Sequence, residues 1–292
     1  MVKCNTHKAV RLILVQLLTF AHIYSFGQGS VYEVFALKFE GPHSKEPAFD
    51  IAVGATTKDT IESSSFIWLL KGNNGRIVLV DAGYTDTAAI NQYFPTINYI
   101  RPDLVLKKVN VKPEAITDII ITHPHLDHIG GIDLFPNAML WMQKDDFDYF
   151  VHTAWQKNGF AVGFNKEDVF KLIQKSLDHH LTLVKGDSIE IIPGIRVFIG
   201  SKHTYESQYV LVNGTSGKTI IASDNIWFYY NLNYLLPIPT FTFNPIAYVN
   251  AMKRMKTLVS NPELIIPGHD ELIMSKFPKV TDGVVKIEIK KK

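Results

Sequence analysis

The order of apolar and polar residues predicts a series of short β-strands in the first half of the chain. Runs rich in β-branched and aromatic residues are typical of strands, and near-continuous apolar runs are typical of buried ones. Such runs occupy residues 31–39, 65–70, 76–80, 116–122 and 138–142. The turn-forming residues 72–75, Gly-Asn-Asn-Gly, separate the second run from the third and predict a hairpin.

Two longer segments carry a helical spacing instead. Apolar side chains recur every three or four positions in residues 166–180, which predicts an amphipathic helix. Its apolar face would be formed by Val169, Phe170, Ile173 and Leu177. A second helix is predicted to begin at Asn244, where an Asn-Pro pair is a typical helix start, and to end before Asn261-Pro262.

Strand patterns fill most of the remaining second half. They cover residues 181 onward, 188–192, 195–199, 208–212, 218–222 and 264–266, and turn residues pair the middle four into two hairpins. Strands and helices are mixed without a regular alternation, a short repeat or a low-complexity linker. The pattern therefore indicates one domain of the α/β (α+β) class.

Residues 1–27 have the composition of a secretory signal peptide. Cations precede an apolar run at residues 12–26, and the small residue Gly27 offers a cleavage site. An uncleaved membrane anchor is the alternative, but Gln16 and His22 interrupt a run that is already short for a membrane span. We therefore expect an exported protein, periplasmic or secreted, whose mature domain covers residues 28–292.

Charge and cysteine content narrow the function further. The formal net charge is +2, and Lys3, Lys8 and Arg11 all lie in the predicted signal peptide, so the mature chain is near neutral. This gives no electrostatic reason to expect a nucleic acid partner, and no stable membrane partner is expected after cleavage. The single cysteine, Cys4, also lies in that segment. Metal ligands in the mature protein must therefore be nitrogen or oxygen atoms.

A cluster of histidines follows the predicted buried strand at residues 116–122. Residues 122–131 read Thr-His-Pro-His-Leu-Asp-His-Ile-Gly-Gly. A lone histidine is usually structural, but a dense cluster of His and Asp at a strand end is the usual form of a metal site. His123 and His125 share one side of an extended segment, whereas Asp127 and His128 lie beyond a turn. This separation favours two metal ions held side by side.

Further ligands must come from distant parts of the chain. Three candidates each occupy a loop directly after an apolar strand run, where a rigid sheet can present a site. They are His203, Asp224 and His269.

The order of these motifs resembles the metallo-β-lactamase superfamily, in which an element like Val80-Asp-Ala-Gly83 precedes the histidine motif. The resemblance implies an αβ/βα sandwich, with two mixed β-sheets packed face to face and helices outside. It also implies two zinc ions, or other divalent transition metals, with a shared hydroxide as the nucleophile. The implied ligands are His123, His125 and His203 for one ion, Asp127, His128 and His269 for the other, and Asp224 as the bridge. Asp81 either orients a ligand histidine or only closes the strand-end turn.

Within the superfamily, residues 202–208, 223–225 and 267–270 are most similar to the N-acyl homoserine lactonase group. This similarity implies hydrolytic opening of a lactone ring, as in quorum quenching, with a small molecule as the partner and a homodimer left open. Zinc β-lactamases commonly replace the bridging Asp by Cys or His, so Asp224 disfavours β-lactams as the main substrate.

Aromatic residues offer candidate substrate contacts. Trp227 and Phe228 follow the implied bridging Asp, and Tyr149 and Phe150 follow the strand at residues 138–142. Ordinary core and lid packing is the alternative interpretation.

The chain departs from the lactonase pattern at one position. Lactonases of this group tend to place a tyrosine three residues after the bridging Asp, where this chain has Trp227. Tyr229 or Tyr230 is then expected to supply the hydroxyl, which makes both candidate catalytic residues beside Asp127 and Asp224.

Other activities on the same scaffold stay open. These are hydrolysis of another ester, a thioester or a β-lactam, a redox reaction with iron, and binding without catalysis. The redox reaction is disfavoured because no flavin-binding domain follows. Binding alone is disfavoured because all seven ligand positions are filled.

Overall fold

The computed structural model describes residues 29–43 and 45–289, so the predicted signal peptide lies outside the described residues. The described strands are β1 (Tyr32–Glu40), β2 (Glu46–Pro47), β3 (Thr60–Ile61), β4 (Ser65–Gly72), β5 (Ile77–Val80), β6 (Asp118–Ile120), β7 (Met139–Gln143), β8 (Leu181–Val184), β9 (Ile189–Ile192), β10 (Ile195–Ile199), β11 (Gln208–Gly214), β12 (Gly217–Ser223), β13 (Ile265–Pro267), β14 (Lys279–Thr281) and β15 (Val284–Lys286).

The α-helices lie between these strands and after them. They are α1 (Ala48–Ile51), α2 (Thr87–Ile90), α3 (Pro102–Val105), α4 (Leu126–Ile129), α5 (Lys144–Val151), α6 (Lys166–Leu177), α7 (Tyr229–Tyr234), α8 (Pro245–Leu258) and α9 (Ile273–Lys276). No helix among the described residues is both long enough and apolar enough to cross a membrane.

The strands form two halves of a mixed sheet. One half runs in the order β1-β4-β5-β6-β7-β8, and the other contains β9 to β13. The halves meet at a single parallel pair of residues, Tyr32 of β1 and Gly214 of β11. This arrangement confirms the predicted mixed sheets with helices.

Alternation along β1 shows how the layers are built. Tyr32, Val34 and Ala36 pack into a core that joins both halves of the sheet, together with side chains of β10, β11 and β12. Phe35 and Leu37 point to the opposite face, where they join a second core with residues of α3, α5 and α6. Because side chains alternate across a strand, one continuous apolar run supplies both layers.

The strand directions gather the candidate ligands at one edge. β5, β6 and β7 are parallel neighbours, and so are β12 and β13. The carboxyl ends of parallel strands share one edge of a sheet. The segments that leave those ends are the ones that carry the histidine motif, Asp224 and His269.

Helix α6 confirms the predicted element but not its predicted face. Phe170 and Leu177 are 67% and 68% exposed, whereas Asp168 and Leu172 are buried. The Lys171 amino group donates to the Gly130 carbonyl and to the Asp168 carboxylate, which turns this polar pair towards the protein. Spacing alone therefore identified the helix and assigned its buried side wrongly.

Candidate metal centre and its cavity

The first ligands stand on the segment that leaves β6. His123 lies between β6 and α4, and His125 is the extended residue directly before α4, which carries Asp127 and His128. This change from strand to helix separates the two pairs, as the sequence predicts. The Gly163 carbonyl accepts the Leu126 N–H and fixes the start of the helix.

The seven predicted ligands lie together in two groups. In each group one potential ligand atom per residue lies within 4.8 Å of all the others. The first ligand group is His123, His125, His203 and Asp224, and the second ligand group is Asp127, His128 and His269.

Asp224 faces both groups at once. Its Oδ1 lies 3.2 Å from Nε2 of His128 and 3.0 Å from Nε2 of His269. Its Oδ2 lies 3.3 Å from Nε2 of His203 and 3.9 Å from Nε2 of His123. A carboxylate in this position has the geometry of a bridge between two ions.

Several buried atoms at this centre fit metal ligation. Nε2 of His128 and Oδ1 of Asp224 are buried without a hydrogen-bond partner in the described part of the chain. Nδ1 of His125 lies 3.1 Å from Nε2 of His123 and 3.0 Å from Nε2 of His203. Three imidazole nitrogens converging on one point are typical of a zinc site. The donor set is nitrogen and oxygen only, which suits zinc and other divalent transition metals.

The two ligand groups differ in the pKa values of their histidines. Burial and, to a smaller extent, the neighbouring His203 lower the pKa of His125 to about 3. Burial likewise lowers the pKa of His123. Burial also opposes the charged form of His128, but the carboxylates of Asp127 and Asp224 outweigh it and raise its pKa well above the usual value. His123 and His125 of the first ligand group therefore favour the neutral form that binds a metal, whereas His128 of the second must release a proton before it binds a cation.

Asp81 organises the second ligand group. Its Oδ2 lies 2.8 Å from Nδ1 of His128 and accepts a hydrogen bond from the Ser223 hydroxyl at 2.8 Å. Its Oδ1 accepts the Thr122 backbone N–H at 2.8 Å and the Thr122 hydroxyl at 2.9 Å. The carboxylate holds the ring so that Nε2 points to the centre, which favours the orienting role over that of a simple turn residue.

The other ligand rings are also supported. Nδ1 of His123 lies 3.0 Å from the Thr122 hydroxyl, and Nδ1 of His269 lies 3.2 Å from the Ser64 carbonyl. Gly268 makes room for the bridge, because a Cβ there would lie 2.7 Å from Oδ1 of Asp224 and 2.8 Å from the Ser223 carbonyl carbon. A larger residue at 268 would displace the ligand or the strand end.

A cavity of about 350 Å³ opens onto both ligand groups. Its walls are mostly apolar, with a few polar groups, as in small-molecule sites. The lining residues are His43, Glu46, Ile51, Ser63, Ser65, Tyr93, Phe94, Pro95, Ile97, His125, Leu126, Asp127, Gly163, Asp224, Trp227, Phe228, Phe241 and His269.

Of the predicted substrate contacts, the structure brings two to this cavity. Trp227 and Phe228 line it, and the Trp227 indole N–H donates to Oδ2 of Asp224 at 2.8 Å. Tyr149 and Phe150 are not part of the wall. Tyr149 stacks on Tyr205 with ring centroids 4.8 Å apart, and Phe150 packs inside the second core.

Neither predicted catalytic tyrosine reaches the cavity wall. The chain turns into α7 at Tyr229, whose hydroxyl is buried without a partner among the described residues and whose ring lies under the Lys276 amino group. The Tyr230 hydroxyl lies 2.9 Å from the Thr57 hydroxyl. The geometry therefore gives their expected role as hydroxyl donors to the substrate no support.

Several wall residues were not anticipated from the sequence. His43, Tyr93 and Phe94 come from loops that carry no periodic pattern. The Tyr93 hydroxyl accepts the Gly163 N–H at 3.1 Å, so this loop also supports the segment next to His125. No local signal in the sequence indicates that these loops meet.

Comparison with known proteins agrees with this geometry. The model of the metallo-β-lactamase superfamily matches residues 60–269. An N-acyl homoserine lactonase of Bacillus thuringiensis is 24% identical over 217 residues, covering 70% of this chain and 80% of that protein. The probable metallo-hydrolase YqjP of Bacillus subtilis is 26% identical over 239 residues, covering 72% and 68% of the two chains.

Solved structures show the same fold. A quorum-quenching N-acyl homoserine lactone lactonase superposes with a TM-score of 0.67 at 22% identity, covering 88% of this chain and 98% of that one. The dizinc quorum-quenching lactonase AidC superposes with a TM-score of 0.59 at 18% identity, covering 90% and 99% of the two chains. The predicted family, fold and enzyme class are confirmed. The chain belongs to the metallo-β-lactamase superfamily and is a hydrolase of that superfamily.

Proposed function

We propose that this chain is a dinuclear zinc hydrolase that opens the ring of N-acyl homoserine lactones. The observation that carries the proposal is the position of Asp224, whose two oxygens face different ligand groups beside an apolar cavity. The sequence similarity to N-acyl homoserine lactonases supports the substrate class. The first ligand group would hold one metal ion and the second ligand group the other, and Asp224 would be shared by both ions.

Two zinc ions held there would supply an activated water as the nucleophile and would stabilise the negative charge that develops on the lactone oxygen. The chain's own residues orient the ligands. Asp81 fixes the ring of His128, and Thr122 fixes the ring of His123. The mostly apolar walls place few polar groups around the centre, and electrostatic interactions are stronger in such surroundings than in bulk water.

Trp227 has a different role from the tyrosine that lactonases of this group tend to place at its position. Its indole N–H is engaged by Oδ2 of Asp224 at 2.8 Å. That interaction holds the carboxylate with Oδ1 towards His128 and His269. We therefore assign Trp227 as a positioning residue for the bridge, and bound metals would supply the polarisation of the substrate carbonyl.

Hydrolysis of another ester, a thioester or a β-lactam is the second candidate. The observation that favours it is the same tryptophan, because no tyrosine hydroxyl stands where lactonases of this group place one. Asp224 as the bridging ligand, in a mature chain without cysteine, disfavours the β-lactam among these.

Acid release at constant pH separates the candidates. Zinc-loaded protein is offered N-hexanoyl homoserine lactone, an aryl ester, a thioester and a β-lactam at equal concentrations. We expect the lactone to give the largest kcat/KM, and a chelator to abolish the reaction. Preference for the ester or the thioester would move the function to the second candidate, and no release from any substrate would contradict both.

A matched variant pair tests the metal assignment. Asp127→Ala should remove about one metal per chain and most of the activity, while Asp145→Ala, at an exposed position on α5 outside the cavity wall, should retain both. Full activity of Asp127→Ala with both metals bound would contradict the assignment.

Export stays part of the proposal. It rests on the composition of residues 1–27. N-terminal sequencing of the protein from the culture medium or periplasm should find a chain that starts near Gln28, and a chain that starts at Met1 would contradict cleavage.

A further inference from the structure

A buried carboxylate beside the cavity has no part in metal ligation. The side chain of Glu40 is fully buried at the end of β1. Its Oε2 accepts the Ser65 hydroxyl at 2.9 Å, and its Oε1 accepts the Ile97 N–H at 3.2 Å. Oε1 also lies 3.3 Å from Nε2 of His43. A buried carboxylate with two hydrogen bonds and an adjacent imidazole is held in a fixed position behind the wall residue His43.

This carboxylate orients a histidine that lines the cavity. The His43 ring packs edge-on against Phe94, with centroids 5.2 Å apart, and both residues form the wall. Because Oε1 faces Nε2 at 3.3 Å, the geometry favours the ring tautomer in which Nε2 carries the proton. In a neutral imidazole Nδ1 is then an acceptor. The Glu40–His43 pair therefore makes Nδ1 an oriented acceptor on a wall that is otherwise mostly apolar.

Backbone pairing fixes the place of His43 relative to the metal centre. The His43 N–H donates to the Ser63 carbonyl, and the Ser64 N–H donates to the His269 carbonyl. One extended segment therefore separates His43 from the ligand His269, which corresponds to roughly 10 Å between their backbones at two strand spacings. Both side chains line the same cavity, so the distance between their rings can be spanned by a small substrate.

We propose that His43 is a specificity-determining residue whose Nδ1 accepts the N–H of an acylamino group on the substrate. This inference rests on the proposed lactonase function, because it places the reacting carbonyl beside His269. In an acylamino lactone the amide nitrogen lies within one residue length, about 3.5 Å, of that carbonyl. A hydrogen bond of about 3 Å then reaches the wall. The pair selects lactones that carry an amide over lactones that carry only an alkyl chain.

The test compares two substrates on four proteins. The substrates are N-hexanoyl homoserine lactone and a γ-butyrolactone with an alkyl chain of matched length at the α-carbon. The proteins are the zinc-loaded wild type, His43→Phe, His43→Asn and the control His152→Phe, which replaces a histidine outside the cavity wall. Phenylalanine keeps the contact with Phe94, whereas asparagine restores an acceptor oxygen close to the position of Nδ1.

Losing one neutral hydrogen bond should lower the preference for the acylamino lactone by roughly 3- to 10-fold. We expect His43→Phe to show this loss through KM, with kcat and the alkyl lactone unchanged. His43→Asn should recover most of the preference, and His152→Phe should match the wild type. Zinc content should be equal in all four proteins.

Other results overturn the assignment. Equal losses on both substrates would make His43 a structural residue, and an unchanged preference in His43→Phe would remove its role in recognition. A wild type that opens both lactones without preferring the amide would refute this inference and leave the proposed function standing. A wild type that opens neither lactone would refute both.

Discussion

Replacing Asp81 by asparagine tests how the second ligand group is organised. Asp81 has a positive φ of 60°, a conformation that asparagine adopts more readily than most residues, so the substitution leaves the backbone unstrained. It changes only the charge and one acceptor atom. The asparagine amide nitrogen can take the position of either carboxylate oxygen. At the position of Oδ2 the nitrogen would face Nδ1 of His128, and at the position of Oδ1 it would face the Thr122 N–H. Either orientation sets a donor against a donor.

The expected loss of metal affinity in Asp81→Asn follows from those contacts. The loss falls on His128, because its ring loses the carboxylate that holds Nε2 towards the centre. Changes to such supporting partners typically lower metal affinity by about 10- to 100-fold, or roughly 1.4 to 2.7 kcal/mol. The first ligand group is linked to Asp81 only indirectly among the described residues, through Thr122 next to His123 and Ser223 next to Asp224. We therefore expect the loss to be concentrated in one of the two metals.

The assay is a competition titration of zinc between the protein and a chromophoric chelator. Wild type should show two affinities, and Asp81→Asn should weaken one of them by about 10- to 100-fold. Asp145→Asn, on the exposed side of α5, serves as the control and should behave as wild type. Two unchanged affinities in Asp81→Asn would refute the reasoning, as would an equal loss in both.

Three further predictions follow from the site. Trp227→Phe removes the hydrogen bond to Asp224 and should lower kcat/KM, measured by steady-state kinetics, about tenfold. A much smaller loss would mean that the indole only packs against the bridge. Lowering the pH should release metal from the second ligand group before the first, because the pKa values of His128 and His269 are raised whereas those of His123 and His125 are lowered. Equilibrium dialysis across a pH series would show joint release if this is wrong. Burial raises the pKa of Asp146 to about 7. Because the folded protein holds the Asp146 proton more tightly than the unfolded chain does, protonation stabilises the fold at low pH, and this contribution is lost as the pH rises. The unfolding free energy of metal-free wild type, measured relative to that of Asp146→Asn, should therefore fall between about pH 4 and pH 7. A flat difference in denaturant titrations would contradict this.

The residues of the two ligand groups could be predicted from the sequence because they follow strand ends. His123, His125, Asp127 and His128 are local, and the strand pattern alone places them after β6. His203, Asp224 and His269 follow other apolar runs, and the sheet gathers these ends at one edge.

The substrate wall could not be predicted in the same way. Trp227 and Phe228 were found because they follow Asp224, but the next two residues turn into α7 and leave the wall. His43 reaches the cavity through backbone pairing with Ser63, a long-range contact that no local pattern encodes. For the same reason the buried side of α6 depends on the Lys171–Asp168 pair rather than on the spacing of its apolar residues.

The central claim is that two metals held by the two ligand groups open a lactone ring. The most direct measurement is lactone hydrolysis by metal-free protein as zinc is added in steps, with acid release followed at constant pH. The account predicts that N-hexanoyl homoserine lactone is opened, that the rate stops rising near two equivalents of zinc per chain, and that chelator reverses it. No hydrolysis at any zinc level, or a rate that does not depend on zinc, would contradict it.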